Sequence, residues 1–117
     1  MRVKRSAPEL RTMDGIVFDS IAEMKRFSDL KFLQRSGDIR DLQYQPKFDI
    51  KVNDMHICYY SPDATYIRVS TNQVVVEDVK GFKKSKKTGK MLPRVNREFG
   101  IKVKLMQAVF GLKVEVV

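Results

Sequence analysis

The sequence predicts a single α+β domain whose helices and strands follow one another in the order α-β-β-β-α-β. Two runs with helical spacing, one near each end of the chain, enclose three β-rich runs that are separated by turn residues. A chain of 117 residues is long enough for one modest hydrophobic core and too short for two. We therefore expect one domain over residues 1–117, with residues 1–8 flexible.

The first elements are a hairpin and a helix. The Asp14-Gly15 dipeptide lies between two apolar runs, which is a strong signal for a tight hairpin turn. Ser20 and Glu23 then form a capping-box pattern that marks a helix start. The apolar residues that follow recur at helical spacing: Ile21, Met24, Phe27, Leu30 and Leu33. The pattern predicts a helix over residues 20–35.

Three β-rich runs come next along the chain. They are separated by Asn53-Asp54 and by the turn cluster Ser70-Thr71-Asn72-Gln73. Their spacing predicts an antiparallel meander with strands at 42–52, 56–69 and 74–80. The last two of these strands would form one hairpin.

The remaining segments predict a loop, a second helix and a final strand. Residues 83–94 are polar and basic and contain a glycine and a proline, which is typical of a mobile loop that becomes ordered on a ligand. Helical spacing over 96–110 ends at Gly111. The apolar run 112–117 then predicts a short, largely buried strand.

The predicted hairpin brings two acids and a lysine together. In the register that the turn cluster indicates, Asp63 faces Lys80, and Asp78 is a diagonal neighbour of Asp63. Since side chains alternate between the two faces of a strand, Asp63, Asp78 and Lys80 share one face. Glu77 points to the opposite face, where we expect it to be solvated or structural.

Two carboxylates and a lysine in one small space predict metal-assisted phosphodiester hydrolysis. Mg²⁺ prefers hard oxygen ligands and usually binds through one or two carboxylates, for which Asp63 and Asp78 are suited. Lys80 would position or polarise the attacking water. The alternative is an ordinary surface Asp-Lys pair on a polar sheet face.

Three further residues are candidates for the site. Glu23 can close the capping box, and its position on the apolar stripe of the helix also lets it face the sheet and bind metal; the two interpretations are compatible. Lys102 falls inside the apolar arc of the second helix, so it either pairs with Asp63, Asp78 or a substrate phosphate, or extends its amine to solvent. Gln45 could offer a hydrogen bond at the site, although such a residue more often lies on a polar face.

The positive charge is concentrated in one stretch of the chain. The formal net charge is +9, and residues 80–104 hold ten basic side chains against one acid. A localised basic patch attracts polyanions, of which nucleic acid is the commonest in a cell, whereas the alternative is a solvated loop. The candidate DNA-binding residues are Lys83, Lys84, Lys86, Lys87, Lys90, Arg94, Arg97 and Lys102.

Composition also excludes several classes of protein and site. Cys58 and His56 are the only cysteine and histidine, so neither an internal disulfide nor a Cys/His zinc site can form within one chain. No apolar run approaches the roughly 20 residues of a membrane span, and no signal peptide is evident, so we expect a cytoplasmic protein. No pattern indicates a nucleophilic triad, a P-loop, a dinucleotide site or another small-molecule cofactor site. Tyr59, Tyr60 and Tyr66 are better suited to core or rim packing than to base stacking.

An ordered series of sequence blocks resembles the PD-(D/E)XK nuclease superfamily, and more closely a family of small phage and prophage proteins within it. The resemblance covers nearly the whole chain. Its blocks are Gly15-Ile16-Val17-Phe18-Asp19-Ser20 with Glu23, Leu42-Gln43-Tyr44-Gln45-Pro46, Pro62-Asp63, Val75-Val76-Glu77-Asp78-Val79-Lys80-Gly81 and Lys102-Val103-Lys104-Leu105-Met106.

The resemblance implies a restriction-endonuclease-like core, a central mixed sheet flanked by helices. It implies that Asp63 and Asp78 bind Mg²⁺ or Mn²⁺, that Lys80 assists the water and that Glu23 is the first-helix acid of a nuclease. The arrangement is also similar to phage endonuclease I and to archaeal-type Holliday junction resolvases, which act as dimers on branched DNA. Asp78 stands where glutamate is common in the superfamily.

We therefore predict a metal-dependent endonuclease that cleaves duplex or branched DNA in phage DNA metabolism, with a homodimer plausible. The alternative is a non-catalytic nucleic-acid-binding phage protein that keeps a nuclease-like fold. A third hypothesis is a protein-interaction module whose basic loop meets an acidic partner.

Overall fold

A mixed four-stranded sheet lies between two helices and is built from strands that are far apart in the sequence. The computed structural model describes residues 5–80, 82–93 and 95–117. The helices are α1 (Ile21–Arg35) and α2 (Arg97–Phe110), and a short 3-10 helix covers Pro8–Arg11. The strands are β1 (Thr12–Met13), β2 (Ile16–Val17), β3 (Ile39–Tyr44), β4 (Phe48–Val52), β5 (Met55–Tyr60), β6 (Ala64–Arg68), β7 (Gln73–Asp78), β8 (Phe82–Lys84), β9 (Met91–Pro93) and β10 (Val114–Val116).

The order of strands across the main sheet is β10-β7-β6-β3. β6 pairs antiparallel with both β3 and β7, whereas β10 runs parallel to β7. A parallel strand needs a long crossover, and the segment from β8 to α2 supplies it. The α+β class with a mixed sheet is therefore confirmed.

Both predicted helices are confirmed, because local capping residues specify their ends. The Ser20 hydroxyl accepts the Glu23 N–H at 3.1 Å, and the Asn96 side chain accepts the Phe99 N–H at 2.8 Å. Gly111 ends α2 with φ 67°, in the left-handed region that glycine tolerates. The Asp14-Gly15 hairpin is also present, joining β1 to β2.

The predicted three-stranded meander is wrong in one respect, since its first two strands are each broken. Pro46 separates β3 from β4, and Pro62 separates β5 from β6. Proline has no N–H for a ladder hydrogen bond, so pairing stops at both positions. As a result β4 and β5 form a separate two-stranded ribbon, in which Phe48 pairs with Tyr60.

The register of the β6–β7 hairpin differs from the predicted one by two residues. Arg68 pairs with Gln73, and the Asn72 N–H donates to the Arg68 carbonyl at 2.7 Å, so the turn takes up four residues. Asp63 therefore stands across from Asp78 rather than Lys80, one step beyond the last ladder pair. A shift of two residues leaves every side chain on its predicted face.

Each face of the sheet packs against one helix. The α1 face contains the buried cluster Leu30, Ile39, Ala64, Tyr66 and Val75. The α2 face, which the β4–β5 ribbon extends, contains Ile50, Tyr60, Val76, Met106 and Val114. The neighbours Val75 and Val76 thus belong to different cores, as strand alternation requires.

The basic segment is a hairpin and not the loop predicted over 83–94. β8 and β9 pair antiparallel, and the Ser85 N–H donates to the Lys90 carbonyl at 2.8 Å across the turn. Gly81 and Arg94 lie outside the described residues. At the N-terminal end of the chain, residues 1–4 also lie outside the described residues. The Arg11 Nε–H donates to the Ser6 carbonyl at 3.0 Å. Neither helix is long and apolar enough to cross a bilayer, as far as the described residues extend.

Two glycines of α2 provide a matched test of the helix end. We expect Gly111→Ala to destabilise the protein by about 1 kcal/mol, because an L side chain at φ 67° is strained. Gly100→Ala should stabilise it by about 0.5–1 kcal/mol, since alanine favours a helix interior and nothing lies within 4 Å of the added Cβ. Urea unfolding of both variants measures the difference, and shifts in the same direction would contradict this account.

Candidate active site

An open cleft of about 500 Å³ collects the residues that the sequence singled out. Its walls come from the start of α1, from the two proline breaks, from the end of β7 and from the start of α2. Six of the predicted site residues line it: Glu23, Gln45, Asp63, Asp78, Lys80 and Lys102. The topology therefore brings together side chains that are up to 79 positions apart in the numbering of the chain.

Asp63 and Asp78 each accept a hydrogen bond from a backbone N–H of the facing segment, and Asp78 also accepts one from a tyrosine. The Asp63 N–H donates to Asp78 Oδ1 at 2.9 Å, and the Val79 N–H donates to Asp63 Oδ2 at 2.6 Å. The Tyr60 hydroxyl donates to Asp78 Oδ2. Within the described residues Asp63 Oδ1 has no hydrogen-bond partner, so one carboxylate oxygen of the pair is free to accept a ligand.

Burial and neighbouring charge both act on Asp63. Removal from water raises the pKa of its carboxyl to about 7, with Asp78 and Glu23 adding to the effect. The Val79 N–H and the charge of Lys80 oppose the increase in this pKa. The cleft thus concentrates negative charge at a place where only part of it is compensated.

Glu23 lies at the start of α1 and also lines the cleft, a position compatible with both of its predicted roles. Its backbone N–H is capped by Ser20, while its side chain lines the cleft. The pKa of its carboxyl is raised, first by burial and then by Asp19, and Lys80 counteracts the shift. Glu23 can lie in the capped first turn of α1 and also line the cleft, because this turn forms part of the cleft wall.

The two lysines of the cleft have different partners. Lys80 Nζ lies 4.6 Å from the centroid of the Phe99 ring, a cation–π contact that leaves its ammonium group in the cleft. Lys102 Nζ pairs with Glu98 Oε1 at 3.2 Å, one helical turn away. Of the alternatives for Lys102, the structure shows no pairing with Asp63 or Asp78, whereas its side chain does line the cleft.

Gln45 supports the site through its backbone. Its N–H donates to the Asp63 carbonyl at 3.1 Å, and its φ of 45° places it in the left-handed region, next to Pro46. This bond continues the link between the β3 and β6 ends at the point where the regular ladder stops.

The predicted DNA-binding residues divide into those that the structure describes and those that it does not. Lys86, Lys87, Lys90 and Arg97 are exposed. The side chains of Lys83 and Lys84, and all of Arg94, lie outside the described part. Lys80 and Asn96, which precede β8 and follow β9 in the sequence, both line the cleft.

Sequence reasoning missed two features of the site. Tyr60 was expected in the core or at its rim; it is 5% exposed, and the bond from its hydroxyl to Asp78 was not predicted. Of the two roles expected for Glu77, the structure shows the structural one, since its side chain is 1% exposed; its partner Arg26, which donates two hydrogen bonds to it, was not predicted. Arg26 follows Glu23 by three residues on α1, and this charged residue on the apolar stripe was the available signal.

Comparison with known proteins identifies the family of the chain and gives no information on its function. A family model described as "Protein of unknown function (DUF1064)" matches residues 2–114. No curated protein and no solved structure matched the chain. The resemblance to the nuclease superfamily therefore stays a prediction, and function has to be argued from the cleft.

The hydrogen bond from Tyr60 to Asp78 can be tested with a neighbouring tyrosine as control. We expect Tyr60→Phe to lower the free energy of unfolding by about 2 kcal/mol, because a carboxylate of which 3% is exposed loses a donor. Tyr59→Phe should change it by less than about 0.5 kcal/mol, since this residue is 50% exposed. Urea midpoints measure both, and equal losses would argue against the bond.

The raised pKa of Asp63 predicts how stability depends on pH. Because the carboxyl titrates at about 7 when folded and at 3.8 otherwise, its contribution is complete below 3.8 and is lost as pH rises through 7. The loss should be on the order of 1 kcal/mol after discounting for solvent screening. Asp63→Asn should remove this part of the pH dependence.

Urea unfolding at pH 5 and pH 8 measures that effect. Asp54→Asn serves as control, since Asp54 is exposed in the β4–β5 turn. A difference between the two pH values that is as large in Asp63→Asn as in the unsubstituted protein would refute the assignment.

Proposed function

The chain belongs to the DUF1064 family, and we propose that it is a metal-dependent endonuclease that hydrolyses phosphodiester bonds in duplex or branched DNA. One observation carries the proposal. Asp63 and Asp78 stand across from each other at the ends of neighbouring strands, with Lys80 and Glu23 in the same open cleft. Two acids and a lysine so arranged suit phosphoryl-transfer chemistry.

The proposed core is the restriction-endonuclease-like one. Taken in chain order, α1, β3, β6, β7, α2 and β10 reproduce the α-β-β-β-α-β succession, with α1 and α2 on opposite faces of the sheet. Asp63 precedes the second strand of this core, and Asp78 ends the third. The β4–β5 ribbon is then an insertion between the first and second strands.

The donors of the cleft fit Mg²⁺ or Mn²⁺. No group of three or more acidic, histidine or cysteine side chains in the described residues is already arranged to hold a metal. Mg²⁺, however, needs only one or two carboxylates and keeps several waters, and Asp63 has an oxygen without a hydrogen bond. Asp63 and Asp78 would hold the ion, with Glu23 binding directly or through water.

Such an ion would neutralise charge on the phosphate and supply an activated water when bound. Lys80 orients and polarises the attacking water, and its positive charge also offsets that of the acids. The Val79 N–H and the Tyr60 hydroxyl hold the two carboxylates in place throughout. These fixed donors need no rearrangement during the reaction, which is how a preorganised site lowers a barrier.

DNA would lie against the β8–β9 hairpin and the start of α2. Lys86, Lys87, Lys90 and Arg97 are exposed there and can contact phosphates. Lys80 and Asn96, on either side of the segment that contains the hairpin, line the cleft, so DNA bound by these basic side chains would lie near Asp63 and Asp78. Action in the host cytoplasm during phage DNA metabolism, with two sites in a homodimer, rests on the resemblance alone.

The alternative is a DNA-binding protein without catalytic activity. Three of the four oxygens of Asp63 and Asp78 already accept hydrogen bonds, which would suit a purely structural carboxylate pair. In that case the basic hairpin binds DNA and the acids only close the sheet.

Cleavage of supercoiled plasmid and of a synthetic four-way junction decides between these functions. We expect cutting with Mg²⁺ or Mn²⁺ and none with EDTA. Asp78→Asn should lower the rate by at least the roughly 100-fold that loss of an outer-shell partner can cost. Lys80→Met should lower it by roughly 100-fold, as loss of general acid–base assistance does.

Lys104→Met is the matched control, because it removes one charge from an exposed position of α2. It should cut at the unsubstituted rate. Symmetrical cutting of the junction would favour a resolvase over a general endonuclease. Tight DNA binding without metal-dependent cutting of any substrate would sink the nuclease proposal in favour of the alternative.

A further inference from the structure

An ion pair with a buried carboxylate and a half-buried arginine joins α1 to β7 directly behind the cleft. Arg26 Nε lies 2.8 Å from Glu77 Oε2, and Arg26 Nη2 lies 3.0 Å from Glu77 Oε1, so the pair is bidentate. The Glu77 side chain is 1% exposed. Burial, and then the neighbouring Glu77 carboxylate, raise the pKa of the Tyr66 hydroxyl to about 12. Arg26 of α1 and Tyr66 of β6 thus both lie near the one carboxylate of Glu77 on β7.

Both partners of the ion pair are close in sequence to residues of the cleft. Arg26 follows Glu23 by one helical turn, and Glu77 directly precedes Asp78. A small cavity of about 10 Å³ lies between Glu23, Arg26, Asp63 and Glu77. A space of that size is at or below the limit for one water, so the helix and the strand pack closely at this point.

We propose that Arg26 and Glu77 are positioning residues, which fix α1 against β7 and so hold the Glu23 carboxylate next to Lys80 and Asp78. This inference rests on the proposed function of the cleft for its catalytic consequence. A pair of apolar side chains would stabilise the same contact as well or better, because a buried ion pair must repay its desolvation. A bidentate pair, however, has one favoured geometry, which resists rotation and sliding of the helix.

The test separates position from stability. The double variant Arg26→Met/Glu77→Leu replaces the pair by apolar side chains of similar volume and should fold. Arg68→Met/Glu115→Leu is the matched control, since that Arg–Glu pair joins β6 to β10 and includes no residue of α1. Arg68 Nη2 lies 3.2 Å from Glu115 Oε2, and the two side chains are 41% and 38% exposed. Arg26→Lys keeps the charge but loses the bidentate geometry.

Three measurements are compared across these proteins. The carbon-13 resonance of the Glu23 carboxyl in metal-free protein reports its surroundings. Calorimetry gives the affinity for Mn²⁺, and single-turnover cleavage gives the rate alongside the dissociation constant for DNA. The first measurement requires no nuclease activity.

We expect the Arg26→Met/Glu77→Leu variant to shift the Glu23 resonance, to weaken Mn²⁺ binding and to slow cleavage by roughly 10- to 100-fold, as a displacement of about 1 Å can. Its DNA affinity should stay within about twofold, Arg26→Lys should lie between, and the control should match the unsubstituted protein. A Glu23 resonance and Mn²⁺ affinity unchanged in a folded double variant would overturn the inference. If the unsubstituted protein cuts no DNA, the proposed function fails, while the resonance and the affinity still decide whether the pair positions Glu23.

Discussion

The candidate site depends on one reciprocal interaction, in which each of two aspartates binds a backbone N–H at the end of the facing strand. Regular pairing of β6 with β7 stops at Ala64 and Glu77. Beyond it, Asp78 accepts the Asp63 N–H and Asp63 accepts the Val79 N–H, so side chains continue the ladder. These bonds satisfy donors that would otherwise lose a partner where the strands end, and they fix both carboxylates. Because the two carboxylates lie close together they repel each other, and a cation bound in the cleft would offset this repulsion.

Space for the cleft comes from two prolines. Pro46 and Pro62 interrupt what would be one long hairpin at nearly the same level, so β4 and β5 leave the main sheet and pack over α2. The departure brings Tyr60 over the end of β7, where its hydroxyl meets Asp78. It also leaves the sheet uncovered next to Asp63, and the first turns of α1 and α2 form the walls around that opening. The absence of an N–H group at Pro46 and Pro62 thus determines where the cleft lies.

Local sequence signals predicted the two helices and the placement of Asp63, Asp78 and Lys80 on one face of the sheet. They did not predict the contacts between residues that are distant in the sequence. Ser20, Asn96 and Gly111 specify helix ends through bonds within a few residues, so the sequence suffices. The prediction placed Asp63, Asp78 and Lys80 together correctly because alternate residues of a strand share a face. An error of two residues in the register therefore changes no side chain's face. The predicted register was wrong by two residues because the β6–β7 turn contains four residues, whereas the prediction assumed two.

The sequence held weaker signals for the rest. A proline in each of two paired strands marks a break, yet only the folded chain brings Pro46 opposite Pro62. The segment 83–94 has turn composition in its middle and little strand pattern at its ends, so its pairing as β8 and β9 was missed. The partner of Glu77 depends on how α1 crosses the sheet, which no local pattern specifies.

Glu77 and Asp78 show how one strand serves both the fold and the cleft. Adjacent residues of β7 point to opposite faces, so two neighbouring acids of similar chemistry meet different surroundings. Glu77 faces α1, where the Arg26 guanidinium pairs with its buried carboxylate. Asp78 faces the cleft, where Tyr60 and a backbone N–H bind it but no cation pairs with it among the described residues. An ion pair on one face, and no ion pair among the described residues on the other, separate the acid that holds the helix from the acid that we propose binds a metal.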